Sequence, residues 1–108
     1  MPVYLIAEVV VTDESWISGY ATSVHDIAHK HGGKYLSRSG NIVNMEGETS
    51  KASLIALVEF PVMEAAQAFL NDPDYEEFRK SRREGSISTV HIIDDTDAAG
   101  TIPYLKKS

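Results

Sequence analysis

Two glutamates and an arginine are the first candidates for chemistry, because the glutamates interrupt stretches that are otherwise apolar. Glu8 is flanked by alanine and valine, and Glu59 by valine and phenylalanine. A carboxylate among apolar residues is costly unless it is paired, and a raised pKa there suits a general acid or base. The structural alternative pairs Arg38 with Glu59 and His91 with Glu8. Arg38 could instead clamp a carboxylate or enolate oxygen through two parallel hydrogen bonds.

His31 and His91 are the candidates for proton transfer near neutral pH, where histidine titrates. Within the first predicted helix, His31 alone among the histidines projects along the apolar stripe. His25 and His29 are four residues apart, which suits two ligands of one metal, but no third ligand is evident in the sequence. We therefore predict no metal site and no cofactor.

A basic run and four aromatic residues could bind a ligand. The run 79–83 could bind a phosphate or a carboxylate, since Arg79 and Arg82 share a helix face with Tyr75 and Phe78. Alternatively, the run is a surface that complements the negative end of the helix dipole. Trp16, Tyr20, Tyr35 and Tyr75 could line a pocket for a planar molecule, although Trp16 and Tyr20 suit a core equally well.

Pro2 offers a different catalytic possibility. Removal of Met1 would expose a secondary amine, the base that tautomerases use on a similar β-α-β repeat. The first predicted strand begins immediately after Pro2, which argues against an accessible base. A Pro2 tautomerase is therefore kept as the less favoured alternative.

Composition excludes several classes of protein. The chain has 108 residues, enough for one core, and no cysteine, which removes disulfides and thiolate sites. A net charge of -6 disfavours general binding to nucleic acid or to an anionic membrane. No apolar run approaches the roughly 20 residues of a membrane helix, and the N-terminus lacks the basic segment of a secretory signal. We expect a cytoplasmic protein.

Hydrophobic periodicity predicts the order β-α-β-β-α-β, with Leu5-Ile6-Ala7 recurring as Leu54-Ile55-Ala56 in a weak repeat of the two halves. We predict a first helix capped by Asp13, a second strand that resumes at 41–45 after an interruption, and a second helix broken at 71–73. The pattern favours an α+β, ferredoxin-like fold with a four-stranded antiparallel sheet over residues 1–95. Residues 96–108 are predicted to be a C-terminal extension that docks on the domain or on a dimer partner.

Side-chain alternation gives the predicted sheet two apolar faces. One face is entirely apolar and suits the side beneath the helices: Leu5, Ala7, Val9, Val11, Leu54, Ala56, Val58 and Phe60. The other remains largely apolar: Tyr4, Ile6, Glu8, Val10, Ile55, Leu57 and Glu59. Because a monomer rarely leaves such a patch in water, we predict a homodimer that packs sheet against sheet.

The chain also resembles the family called domain of unknown function 1330. The resemblance rests on the order and spacing of these segments: Ile6 to Asp13, Tyr20, His31 to Gly40, Val58 to Pro61 with Glu64 to Ala66, and Asp72 to Tyr75 with Arg79. It implies a dimeric α/β barrel but no common reaction, since related barrel families include cofactor-independent oxygenases, haem-degrading oxygenases, lactone isomerases and proteins that only bind. We expect a homodimer that binds a small anionic or aromatic molecule. Cofactor-free proton transfer or oxygenation, with His31 or His91 as base, is one possibility; a non-catalytic binding or structural dimer is the other.

Overall fold

The computed structural model describes residues 1–99, in which a four-stranded antiparallel sheet has the order β2-β3-β1-β4. The elements are β1 (Val3–Val11), α1 (Ile17–Lys30), β2 (Lys34–Ser39), β3 (Leu54–Phe60), α2 (Met63–Leu70), α3 (Pro73–Glu84) and β4 (Ser86–Asp94). Strands β1 and β3 lie at the centre of the sheet, as predicted. The predicted ferredoxin-like α+β fold is confirmed. The proposed 1–95 domain boundary stays a prediction, and most of the proposed docking extension, residues 100–108, lies outside the described residues.

The helix-covered face of the sheet carries the core, as alternation along the strands predicted. Val3, Val58 and Phe60 are almost fully buried there, beneath Val24 of α1 and Ala66 of α2. Each large apolar side chain removed from water in this way contributes roughly 1.5–3 kcal/mol. A row of stacked aromatic rings, Phe60, Phe69 and Tyr75, connects the sheet with α2 and α3.

The first helix begins later than predicted. Asp13 accepts a hydrogen bond from the backbone N–H of Ser15 at 2.8 Å, and α1 starts only after Trp16. The indole Nε1 of Trp16 donates to the carbonyl oxygen of Gly85 at 3.0 Å, and this oxygen also accepts from the backbone N–H groups of Thr12 and Asp13. These bonds tie the segment 12–16 to the end of α3, so the helix cannot start at Asp13.

The predicted continuation of the second strand at 41–45 is wrong. These residues belong to the irregular connection between β2 and β3, where Val43 and Met45 are exposed. The physical reason is the register: Ser39 is opposite Ile55, and β3 begins at Leu54, so a longer β2 would have no partner. The predicted antiparallel pairing of the two strands is nevertheless confirmed.

A bulge in β2 overturns the predicted contact between Arg38 and Glu59. Tyr35 is opposite Val58 and Ser37 is opposite Leu57, so Leu36 is an extra residue on β2. The extra residue reverses the alternation and turns Arg38, opposite Ala56, to the helix-covered face. Glu59 lies on the opposite, open face, so the sheet separates the two charges.

Candidate functional site

A cavity of about 660 Å³ lies between the helices and the covered face of the sheet. All three helices and all four strands contribute to its lining, which includes Leu5, Ala7, Val9, Val11, Trp16, Tyr20, Tyr35, Arg38, Ala56, Val58, Phe69, Tyr75, Arg82 and Val90. Its volume falls within the range of small-molecule sites, about 300–1,000 Å³. We call it the main cavity.

The buried end of the main cavity holds a cation and two phenols. Arg82 is 6% exposed and Tyr75 only 2%. The hydroxyls of Tyr20 and Tyr75 are 2.8 Å apart, and Nη2 of Arg82 donates to the Tyr75 hydroxyl at 3.5 Å. Within residues 1–99, no carboxylate lies within ion-pair distance of Arg82. A buried cation without an anionic partner is unusual and marks this end of the cavity as a potential anion site.

The protonation states at this end suit an anion. Burial, reinforced by the neighbouring Tyr75, raises the pKa of the Tyr20 phenol, so the phenol is neutral at ordinary pH. Burial alone would lower the pKa of Arg82, but the Tyr75 and Tyr20 phenols outweigh it and raise the pKa. Whichever phenol donates to the other, one hydroxyl proton remains for a ligand. The site therefore offers a permanent positive charge and a neutral O–H donor.

The accessible end of the main cavity is polar and includes Arg38. This side chain is exposed, and its guanidinium carbon lies 4.4 Å from the centre of the Tyr35 ring. The His25 ring stacks on Tyr35 with centroids 5.1 Å apart. Burial raises the pKa of Tyr35, partly offset by Arg38, so this phenol is also a neutral donor. Glu14, exposed as well, is the one carboxylate among the described lining residues.

His31 is half-buried, as its place on the apolar stripe suggested, but it does not line the main cavity. Its Nε2 is 2.6 Å from Oδ2 of Asp72. The same carboxylate accepts from Lys30 at 2.8 Å and from the backbone N–H of Asp74 at 2.9 Å. The bonds to Lys30 and His31 hold the pKa of Asp72 well below its usual range. His31 is thus part of the cap that begins α3.

The open face of the sheet carries Glu8, Glu59 and His91. Glu59 is opposite Tyr4 on β1 and Lys34 on β2, while His91 is opposite Ile6. These three side chains are separated from the main cavity by the thickness of the sheet. Of the predicted site residues, the structure therefore brings together Trp16, Tyr20, Tyr35, Tyr75 and Arg38. It leaves His31, His91, Glu59 and Arg79 outside the main cavity, and Pro2 is not among the residues that line it.

Sequence reasoning placed Arg82 with Arg79 on one helix face but did not select it from the run as a site residue. Its spacing of seven residues from Tyr75 puts both side chains on one face of α3. The run 79–83 contains several cations of similar type, and only the packed structure shows that Arg82 is the buried one.

No helix within residues 1–99 is long and apolar enough to cross a membrane. In the same range, no three side chains of His, Asp or Glu converge in a way that could hold a metal ion.

Comparison with known proteins supports the fold. The family model described as domain of unknown function (DUF1330) matches residues 2–96. The chain is similar to RPA0582 of Rhodopseudomonas palustris, a protein of unknown function, at 15% identity and a TM-score of 0.71, over 89% of this chain and 83% of the other. It is also similar to SnoaB of Streptomyces nogalater, a cofactor-independent oxygenase, at 10% identity and a TM-score of 0.63, over 89% and 94%. No curated protein matches the sequence. At such low identities the likeness establishes the ferredoxin-like fold of dimeric α/β barrel proteins.

Proposed function

The chain belongs to the DUF1330 family, and from that premise we propose that its main cavity binds a small organic anion with a flat apolar body. The observation that carries the proposal is the Arg82 guanidinium, which is buried in the cavity wall without a carboxylate partner in residues 1–99. An anionic ligand would supply the missing charge, and the free phenol proton of the Tyr20 and Tyr75 pair would donate to it. The apolar body would lie against the side chains of β1 and β3.

The experiment compares an acid with its neutral analogue. Isothermal titration calorimetry measures binding of 1-naphthoate and of 1-naphthamide to the full chain and to Arg82→Gln. We expect the acid to bind more tightly than the amide by about 100-fold, and Arg82→Gln to remove most of that difference.

Lys80→Gln is the matched control, because Lys80 is an exposed cation of the same helix that does not line the cavity. It should leave the affinity for the acid unchanged. Equal binding of acid and amide to the unsubstituted chain would contradict the proposal.

A second candidate function is cofactor-independent oxygenation, the activity that SnoaB is named for. Glu14, an exposed carboxylate in the cavity lining, favours it, because this carboxylate could remove a proton from a carbon acid while Arg82 stabilises the anion. The carbanion would then react with dioxygen, so that a CH2 group becomes a carbonyl and the second oxygen atom leaves as water. An oxygen electrode with 2-tetralone tests this: Glu14→Gln should slow uptake by about 100-fold. Uptake that Glu14→Gln leaves unaltered would contradict this candidate.

We also propose that the open face is covered by a second copy of the chain. Its members include Tyr4, Ile6, Leu57 and, on β4, Ile87 and Ile93, which are 68% and 53% exposed. An apolar face of this extent is uncommon on a monomer.

Sedimentation at micromolar concentration tests the dimer. We expect a dimer for the unsubstituted chain and a monomer for Ile87→Lys, whose exposed position should let the chain fold. Val43→Lys is the control, because Val43 is an exposed apolar residue outside the sheet. A monomeric unsubstituted chain would refute this part of the proposal.

A further inference from the structure

A second, smaller cleft of about 450 Å³ adjoins the main cavity on the β4 side of α3. It is lined by Leu70, Arg79, Arg82, Arg83, Ser86, Ser88 and Val90, and we call it the arginine cleft. Leu70, Arg82 and Val90 also line the main cavity. Arg82 therefore borders both spaces.

The charge of the arginine cleft is not balanced. Arg79 pairs with the carboxylate of Glu76, whereas neither Arg82 nor Arg83 has a carboxylate partner in residues 1–99. No acidic side chain is among the described residues that line the cleft. The cleft thus presents three guanidinium groups against a single carboxylate, which leaves an excess of two positive charges.

Arg79 also has a donor that is not used. Its Nη1 donates to the carbonyl oxygen of Leu70 at 3.1 Å, but its Nε is buried and has no hydrogen-bond partner within residues 1–99. A buried donor without an acceptor costs about 1–3 kcal/mol, so such groups are uncommon in folded proteins. This donor and the buried Arg82 are independent indications that an anion belongs here.

The two serines of the cleft hold the backbone of Arg82 in place. The Ser86 hydroxyl donates to the carbonyl oxygen of Arg82, and its oxygen is 2.6 Å from that of Ser88. Because Ser86 has given its only proton to the carbonyl, Ser88 must donate to Ser86. Both hydroxyl protons are therefore engaged within the protein, and the guanidinium groups are left as the donors to a ligand.

We propose that the anionic group bound at Arg82 is a phosphate monoester, with its phosphate in the arginine cleft and its apolar body in the main cavity. The inference rests on the proposed function, because the body of the ligand is the one assigned there to the main cavity. A phosphate monoester carries about two negative charges near neutral pH and three terminal oxygens, which matches the excess charge and several guanidinium donors. A carboxylate would neutralise only one of the two charges.

Calorimetry with two aromatic anions tests the proposal on the full chain. 1-Naphthyl phosphate should bind at least about tenfold more tightly than 1-naphthoate. Arg83→Gln should remove this preference and leave 1-naphthoate binding within about twofold, because Arg83 is exposed and does not line the main cavity. Lys80→Gln controls for net charge and should retain the preference. Equal affinity for the two compounds, or an equal loss in Lys80→Gln, would overturn the inference.

A third probe separates failure of the inference from failure of the proposed function. Phosphorus NMR measures binding of inorganic phosphate to the unsubstituted chain and to Arg83→Gln. Tight 1-naphthoate binding without phosphate binding would overturn the phosphate assignment and leave the proposed function standing. Phosphate binding that depends on Arg83, together with no binding of either naphthyl compound, would overturn the proposed function and with it the bridging ligand.

Discussion

Two buried charged residues at opposite ends of α3 differ in how completely they are paired. Asp72, at the N-cap, is 8% exposed and accepts hydrogen bonds from Lys30, His31 and the backbone of Asp74. Arg82, in the last turn, is 6% exposed, donates a long hydrogen bond to the hydroxyl of Tyr75, and has no carboxylate partner within residues 1–99. The desolvation cost of a buried charge is offset when all its partners are present, whereas a buried charge without partners costs free energy unless a ligand completes it. The difference indicates a structural role for Asp72 and a binding role for Arg82.

The largest effect is expected for a substitution of Arg82, which should weaken ligand binding without lowering the stability of the fold. Arg82→Met should weaken 1-naphthoate binding by about 100-fold and leave Tm unchanged or higher, because an apolar side chain avoids the cost of burying the charge. Calorimetry and thermal unfolding of the same preparation measure both quantities. A large fall in Tm would show that Arg82 is structural and would remove the contrast with Asp72.

The converse effect is expected at Asp72. Asp72→Ala removes the N-cap and leaves Lys30 and His31 without their shared acceptor, so we expect Tm to fall by about 5–10 °C. Because Asp72 does not line the main cavity, 1-naphthoate affinity should remain within about twofold at a temperature where both chains are folded. An unchanged Tm would contradict the structural role.

A smaller effect is expected at the phenols beside Arg82. Because Tyr20 is less buried than Tyr75, we expect the Tyr75 hydroxyl to donate to that of Tyr20, 2.8 Å away, and the Tyr20 hydroxyl to donate to the ligand. Tyr20→Phe removes this donor. We expect 1-naphthoate affinity to fall by about fivefold, the usual size of one neutral hydrogen bond. Ile17→Val is a suitable control, since it shortens an exposed apolar side chain at the same cavity without changing a donor. Equal effects of the two substitutions would mean that the phenol does not contact the ligand.

Acid titration measures how much the ionised Asp72 carboxyl contributes to the stability of the fold. Its bonds to Lys30 and His31 lower its pKa in the folded chain from the ordinary 3.8. Well above pH 3.8 the carboxyl is ionised in both states and its contribution to stability is complete; as the pH falls through 3.8, the unfolded chain binds the proton first and stability falls. Urea unfolding from about pH 5 to about pH 2.5 should therefore show a steeper loss for the unsubstituted chain than for Asp72→Asn. Parallel curves would contradict the cause assigned to the shift.

We expect the affinity of the main cavity for an anion to be independent of pH near neutrality. The pKa values of Tyr20 and Arg82 are both raised, so neither group changes charge between about pH 6.5 and about pH 8.5. The affinity for 1-naphthoate should be constant over that interval. A midpoint within it would contradict the assignment of Arg82 and Tyr20 as the groups that contact the anion.

Sequence alternation predicted much of the fold, because it reports which side of a strand is buried. Leu5, Val58 and Phe60 lie under the helices for that reason. Alternation says nothing about an inserted residue, so the bulge at Leu36 and the consequent placement of Arg38 were not predictable. Helical spacing likewise placed His31 on the inner stripe but could not indicate its partner, since Asp72 is 41 residues distant in the chain. The burial of Arg82 depends on the same long-range packing.

The bulge in β2 decides which side chains at this edge of the sheet face the main cavity. With Leu36 present, Tyr35 and Arg38 both face the main cavity while Ser37 faces the open side. If β2 paired regularly, with Leu36 opposite Leu57, Ser37 would be opposite Ala56 and Arg38 opposite Ile55, so the two side chains would exchange faces. A substitution that abolishes the bulge without changing the length of the chain could thus replace an arginine with a serine at the cavity entrance without moving a helix. Relatives with different ligands could arise from one another by such a change in strand register.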